Sequence, residues 1–383
     1  MCSSMCSQLL RVLVPFLVVL AGSAAGAGPI ITEIIDAAGD GEGSTLNFPI
    51  GIAVDHSGNV YLSGNQSDNA FEITPDGAIT EIIDAAGDGR GNTLNVPLGI
   101  AVDASGHVYV TGFSSENAFK TKPGGKIKEI IDSSGDGKGS LLLEPVGIAM
   151  DAWGNVYVPG FSSLNAFKIT PSGEITEIID ASGDGAGNIL ENPQAIAVGA
   201  SGNVYVTGVN SDNVFEITPD GAITEIIDAS GDGEGSILDL PLGVAVDAGG
   251  NVYVTGRASN NAFKITPDGE VTEIIDASGD GGGHSFLGAR GIAVDVSANV
   301  YVTGDISDNA FKITPAGVIT EIIDASGDGG GNTLNFPLGI AVDARGDVYL
   351  VGALSDNAFR LAFSIFSDDF ESGDTSAWST TVP

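Results

Sequence analysis

Two aspartates four residues apart, set among glycines, recur seven times in this chain. They are Asp36/Asp40, Asp84/Asp88, Asp132/Asp136, Asp180/Asp184, Asp228/Asp232, Asp276/Asp280 and Asp324/Asp328, and the last pair sits in IIDASGDGGGNTLNFPLGIAVD. A loop of this composition has three uses. It can cradle a phosphate on backbone N–H groups, hold calcium on carboxylate and carbonyl oxygens, or turn a corner. The phosphate use is excluded, because such a cradle opens a helix and usually carries a lysine, whereas a strand-forming run, in most copies led by a proline, follows here in an acidic setting. Calcium suits glycine-bent, oxygen-rich loops, and it is the one cofactor the chain suggests at these fourteen aspartates. Against it, the alternating Asp-x-Asp-x-Asp ligand spacing and a closing bidentate glutamate are missing. The favoured expectation is structural: the first aspartate accepts backbone N–H bonds and Gly-Asp-Gly makes the turn. Asn69 and its counterparts through Asn357 are read the same way, as turn caps.

Copies this alike can arise by recent duplication, so departures carry more information than repeats. The sixth copy has Ala289 for the usual proline and adds His284, Phe286 and Arg290. The fourth has Gln194-Ala195 where a residue-Gly pair is usual, and Gly199 for an aspartate, while Trp153 and Pro159 mark the third. Arg290 has the chemistry to bind an acidic ligand, and with His284 it forms the candidate ligand site, set against ordinary surface variation. Catalysis finds little support: His56 and His107 fall in connections expected on the opposite face from His284, and no Ser-His-Asp arrangement is apparent.

The elements that position these residues follow from the period. The Ile-Thr-Glu-Ile-Ile-Asp run starts at Ile31 and returns every 48 residues to Ile319, with Val271 and Lys128 as variants. In the second copy, strand-type runs cover Ile79 to Asp84, Gly99 to Asp103, His107 to Gly112 and Asn117 to Lys122, separated by Asn/Gly/Pro turns. Four short runs per copy leave no room for helices and predict an antiparallel meander. The ends are complementary: one run precedes six complete sets, and only three follow. The chain is therefore expected to be all-β, a seven-bladed β-propeller with four antiparallel strands per blade, its first strand completing the last blade. Ala53, Ala101 and Ala149 are expected where blades crowd the axis. The column from Phe71 to Phe359 is expected in the core. The glycine-aspartate loop should share a face with the loop between second and third strands.

The stretch GDGGGNTLNFPLGIAVDARGDVYLVG resembles the NHL-repeat propellers, and KITPDGEVTEIID is similar to the blade ends of streptogramin-lyase-like propellers. The resemblance covers residues 31 to 361 and implies the fold; such folds host enzymes, protein binders and receptor ectodomains. The functional expectation is a non-catalytic binding or interaction scaffold. The alternative is a streptogramin-lyase-like or lactonase-like metal-dependent enzyme.

Bulk properties bound the rest. Fifty acidic residues against 14 basic ones give a net charge of −36, which excludes nucleic acid and anionic membranes as partners. The expected partner is a protein, a glycan or another polymer, met by a monomer. Residues 1–27 carry an apolar run, Val12 to Leu20, behind Arg11 and end in Ala25-Gly26-Ala27, as an export signal does, so the mature chain is expected outside the cell without a transmembrane anchor. Both cysteines, Cys2 and Cys6, lie in that segment. The propeller is placed at 28–361, and the acidic tail at 362–383 resembles the C-terminal tails of secreted bacterial proteins, read either as a sorting segment or as an unstructured end.

Overall fold

A computed structural model describes residues 28–363. The expected export signal and the tail from 364 onward lie outside the described residues. Among the described residues there is no helix, hence none long and apolar enough to cross a membrane. Twenty-eight strands, numbered β1 to β28 in chain order, form seven four-stranded sheets.

One blade shows how the sequence produces the unit. In blade 1, β2 (Pro49–Val54) is innermost, followed outward by β3 (Val60–Gly64), β4 (Asn69–Ile73) and β5 (Ile79–Ile83). Val, Ile, Tyr and Phe fill these strands, and Asp-x-x-Gly and Thr-Pro-Asp-Gly turns join them. Each outer strand carries a bulge, in blade 1 between the Ala70↔Ile83 and Phe71↔Glu81 pairs. The last blade holds β26 (Pro337–Val342), β27 (Val348–Gly352) and β28 (Asn357–Ala362), and β1 (Ile30–Ile35) pairs against β28 as its outer strand. The ring is closed as expected, with Ile30 opposite Ala362, one residue past the anticipated end of the propeller.

The core is not one central mass. It comprises seven clusters, each built across a blade boundary, as where Tyr61 and Ala70 of blade 1 pack with Leu94, Val110 and Phe119 of blade 2. Every residue of the Phe71 to Phe359 column is completely buried.

At the axis the sequence expectation fails in an informative way. Ala53 lies opposite Tyr61 and packs into the boundary cluster. The residue that admits close approach is Gly51, where an added Cβ would lie 2.4 Å from the Leu98 carbonyl oxygen of the next blade. Small residues are needed where backbone meets backbone, two positions earlier in the same strand.

Candidate functional site

The glycine-aspartate loop is a hydrogen-bonded corner. Asp36 Oδ1 accepts the Ala38 N–H at 2.8 Å, and Asp40 Oδ1 accepts those of Glu42 and Ser44 at 2.8 and 3.1 Å. Gly39 turns the chain at φ 64°, and a Cβ there would lie 1.9 Å from Ser44 O. The other six copies repeat the first bond, from Asp84, Asp132, Asp180, Asp228, Asp276 and Asp324. They also repeat the second, from Asp88, Asp136, Asp184, Asp232, Asp280 and Asp328. Backbone donors hold the carboxyls of Asp40, Asp184, Asp232 and Asp328 below the usual range. A cation at these loops would have to share Oδ1 atoms already engaged. Among the described residues no group of three or more His, Cys, Asp or Glu side chains is placed to hold a metal ion.

The loop is tied to its blade through buried asparagines. Asn69 Nδ2 donates to Thr45 O and to Glu81 Oε1, and its Oδ1 accepts from Ser67 Oγ. Loop residues 37 positions upstream complete the network: Ser44, Ser140 and Ser236 donate to Glu81, Glu177 and Glu273. In alternate blades an asparagine stands there and turns back to its own aspartate, as Asn92 does to Asp88. The glutamates left with one fewer donor, Glu33, Glu129 and Glu225, are pushed above the usual carboxyl value by burial.

His284 occupies this position in the sixth copy. Its Nδ1 lies 2.7 Å from Asp280 Oδ2 and its Nε2 3.6 Å from Glu321 Oε2. The hydrogen bond with Asp280, then the charge of Glu321, raise this exposed imidazole above its ordinary 6.5. A raised folded-state value means that the stabilising contribution is complete below the unfolded value and is lost as pH rises through the folded one. The His284 Hε1 resonance should therefore titrate with a midpoint above 6.5 in the native protein and fall toward it in Asp280→Asn; an unshifted wild-type midpoint would refute the pair.

His284 and Arg290 are not brought together as one site. Arg290 reaches the mouth of the central channel, on the face that carries the glycine-aspartate loops, where a cavity of ≈ 420 Å³ is lined by two Ile/Leu/Val-type residues and one glycine from most inner strands. Two of the departures noted in the sequence, Arg290 and Gln194-Ala195, line it, together with Phe113 and Phe161 from neighbouring loops. Just outside them, Phe48, Val96, Glu144, Asn192, Leu240 and Phe336 all adopt φ between 51 and 55°. Such φ values cost ~1–3 kcal/mol each and persist only where surroundings impose them. For Phe48, Val96, Leu240 and Phe336 the preceding blade does so, with Asp356 Oδ1 accepting the Phe48 N–H at 2.8 Å, Asp68 that of Val96 at 2.7 Å, and Asp212 and Asp308 those of Leu240 and Phe336. The sequence reading missed this clip, although the Ser-Asp-Asn triplets beside the asparagine column signalled it.

In the sixth blade Gly288 takes the strained position, and a Cβ there would lie 2.0 Å from Asp305 Oδ1. The space is used by Asp305, 1% exposed, whose Oδ2 accepts from Arg257 Nε at 2.8 Å and lies 3.7 Å from Arg290 Nη1. Asp305 Oδ1 is the one buried side-chain polar atom without a partner among the described residues. Two guanidinium groups thus share one carboxylate, and burial lowers the Arg290 pKa. No direct hydrogen bond from the Arg290 guanidinium is found among the described residues, and the group faces an apolar cavity.

The histidines do not meet. His107 is bound to Asp103 in a turn of the opposite face, His56 lies in the equivalent turn of blade 1, and neither these nor His284 line the cavity. On that face Gly199 removes a capping aspartate, and Tyr205 turns to Glu216 instead.

No family model matches the chain, and no curated protein sequence does. Solved structures do. A streptogramin B lyase superposes with a TM-score of 0.70 at 18% identity, covering 89% of this chain and 100% of that one. A catalytically inactive His-to-Ala variant of virginiamycin B lyase from Staphylococcus aureus, with quinupristin, gives 0.67 at 19%, covering 87% and 99%. The Kuenenia stuttgartiensis hydrazine synthase gives 0.62 at 15%, covering 84% and 97%. The fold is that of the streptogramin-lyase-like seven-bladed propellers; at these identities the likeness speaks for fold alone.

Proposed function

We propose that this propeller is an exported, non-catalytic binding scaffold, and that its ligand enters the loop-face mouth of the central channel with an anionic group on an apolar body. The observation that carries the reading is Arg290, a cation with spare donors at the rim of an apolar cavity. A small number of placed polar groups in a mostly apolar concavity is the usual make-up of a ligand site. The concerted change of Gly288, Arg290, Arg257 and Asp305 in one sector argues against drift at separate surface positions. Support against catalysis comes from the histidines: replacing a histidine accompanies inactivity in the virginiamycin B lyase variant, and here none of the three lines the cavity.

Isothermal titration with octanoate and phenylacetate, each against its uncharged amide, tests this. The carboxylates should bind and the amides should bind at least tenfold more weakly; Arg290→Ala should erase the difference. Equal binding of acid and amide, or an Arg290→Ala variant that still discriminates, would refute the anion site. Quinupristin should be recovered intact after incubation with the protein, and its consumption would establish the enzymatic alternative.

A further inference from the structure

On the opposite face, neighbouring blades leave grooves between their turns, and the one between blades 3 and 4 has a volume of ≈ 830 Å³. Trp153 stands at its edge in the turn after the inner strand, 63% exposed. Its ring crosses the blade boundary to Gly202, where a built Cβ would meet the ζ3 carbon at 3.1 Å. The same position in the seventh copy holds Arg345, which likewise reaches the turn glycine of the next blade, Gly58. This position therefore helps decide what each groove presents. Elsewhere it is Ser57, Ser105, Ser201, Ser297 or Gly249, so among the described residues only the groove between blades 3 and 4 has an exposed indole at its edge.

We infer that the Trp153 groove is a binding site for an uncharged oligosaccharide, a function beyond the channel-mouth site and on the other face. A pyranose ring offers a flat C–H face rimmed by hydroxyls. The groove offers a flat, solvent-facing indole beside Lys168, Glu174, Thr218 and Asp220, which supply donors and acceptors at that rim. Anionic polysaccharides are disfavoured by the carboxylates of the groove and by the net charge of −36. A folded protein partner is disfavoured because no other exposed large apolar side chain of the described residues lines the groove.

The full chain carrying Trp378→Phe leaves Trp153 as its only indole, since the sequence has two tryptophans. Its fluorescence is titrated with cellohexaose, xylohexaose, mannohexaose and N-acetylchitohexaose, with an alginate oligomer and a proline-rich peptide as competitors of other chemistry. At least one neutral hexaose should give a saturable change. By calorimetry, Trp153→Ala should lose affinity for it at least tenfold at unchanged thermal midpoint, Trp153→Tyr should retain most of it, and Arg290→Ala should leave it unaltered. No saturable response to any neutral hexaose, a response confined to alginate or the peptide, or full binding by Trp153→Ala would overturn the inference.

Discussion

Deleting residues 30–35 should lower the thermal unfolding midpoint by about 5–10 °C and raise the mass measured by sedimentation. The deletion removes the outer strand of the seventh blade, the burial of Ile35 at 3% exposure, and the 2.8 Å bond from Asn357 Nδ2 to Glu33 Oε1. Side-chain burial at ~2 kcal/mol and several ladder hydrogen bonds at ~1 kcal/mol each give about 5 kcal/mol. For a domain of this size each kcal/mol shifts the midpoint by roughly 1.5 °C. The bared edge of β28 then becomes a template for other chains. Appending the same six residues after Ala362 through a short flexible linker should restore both quantities, because β1 and β28 pair antiparallel with Ile30 beside Ala362. A deletion variant that stays unassociated and equally stable would show that the closing strand is dispensable.

Phe311→Ala should cost about 4–5 kcal/mol in denaturant unfolding, and Phe263→Ala about 3–4 kcal/mol. Both rings are completely buried in boundary clusters, so each truncation loses transfer energy and leaves a cavity. The difference arises because Phe311 meets Phe286 edge-to-face at 5.7 Å and 83°, an aromatic contact worth ~0.5–1.5 kcal/mol beyond area. The fifth copy has Leu238 where the sixth has Phe286, so Phe263 lacks it. Equal costs would mean that the T-shaped pair contributes nothing beyond its burial.

The architecture was legible in the sequence because its evidence is periodic. Constant spacing fixes the blade, complementary ends fix the closure, and a phenylalanine at the same place in every copy marks the core. The glycine-aspartate loop was also read correctly as a turn, since Asx and glycine chemistry is local to a few residues. What escaped crosses a blade boundary. Gly51 meets Leu98, Asp68 clips Val96 and Arg257 pairs with Asp305. None of these pairs lies within one hairpin, so no run of residues reveals them. Arg290 and His284 were both singled out as departures, yet only the ring geometry separates a channel-facing guanidinium from a rim imidazole held by its own loop.

The closing strand also sets a schedule. Synthesis delivers Ile30–Ile35 first and their partner, Asn357–Ala362, more than 320 residues later. At about 5–20 residues per second that is a wait of roughly 20–60 s. During that interval six blades can assemble in order while the apolar segment that will seal them stays unpaired. Its only native partner has not yet been made, whereas near-copies of that partner, from Asn69–Ile73 onward, emerge one after another. Each of those must be claimed by its own outer strand before the waiting segment takes it. The tight turn between third and fourth strands, only five residues long in blade 1, gives the local strand that advantage. Blade order is thus protected by the speed of hairpin closure rather than by differences between the blades.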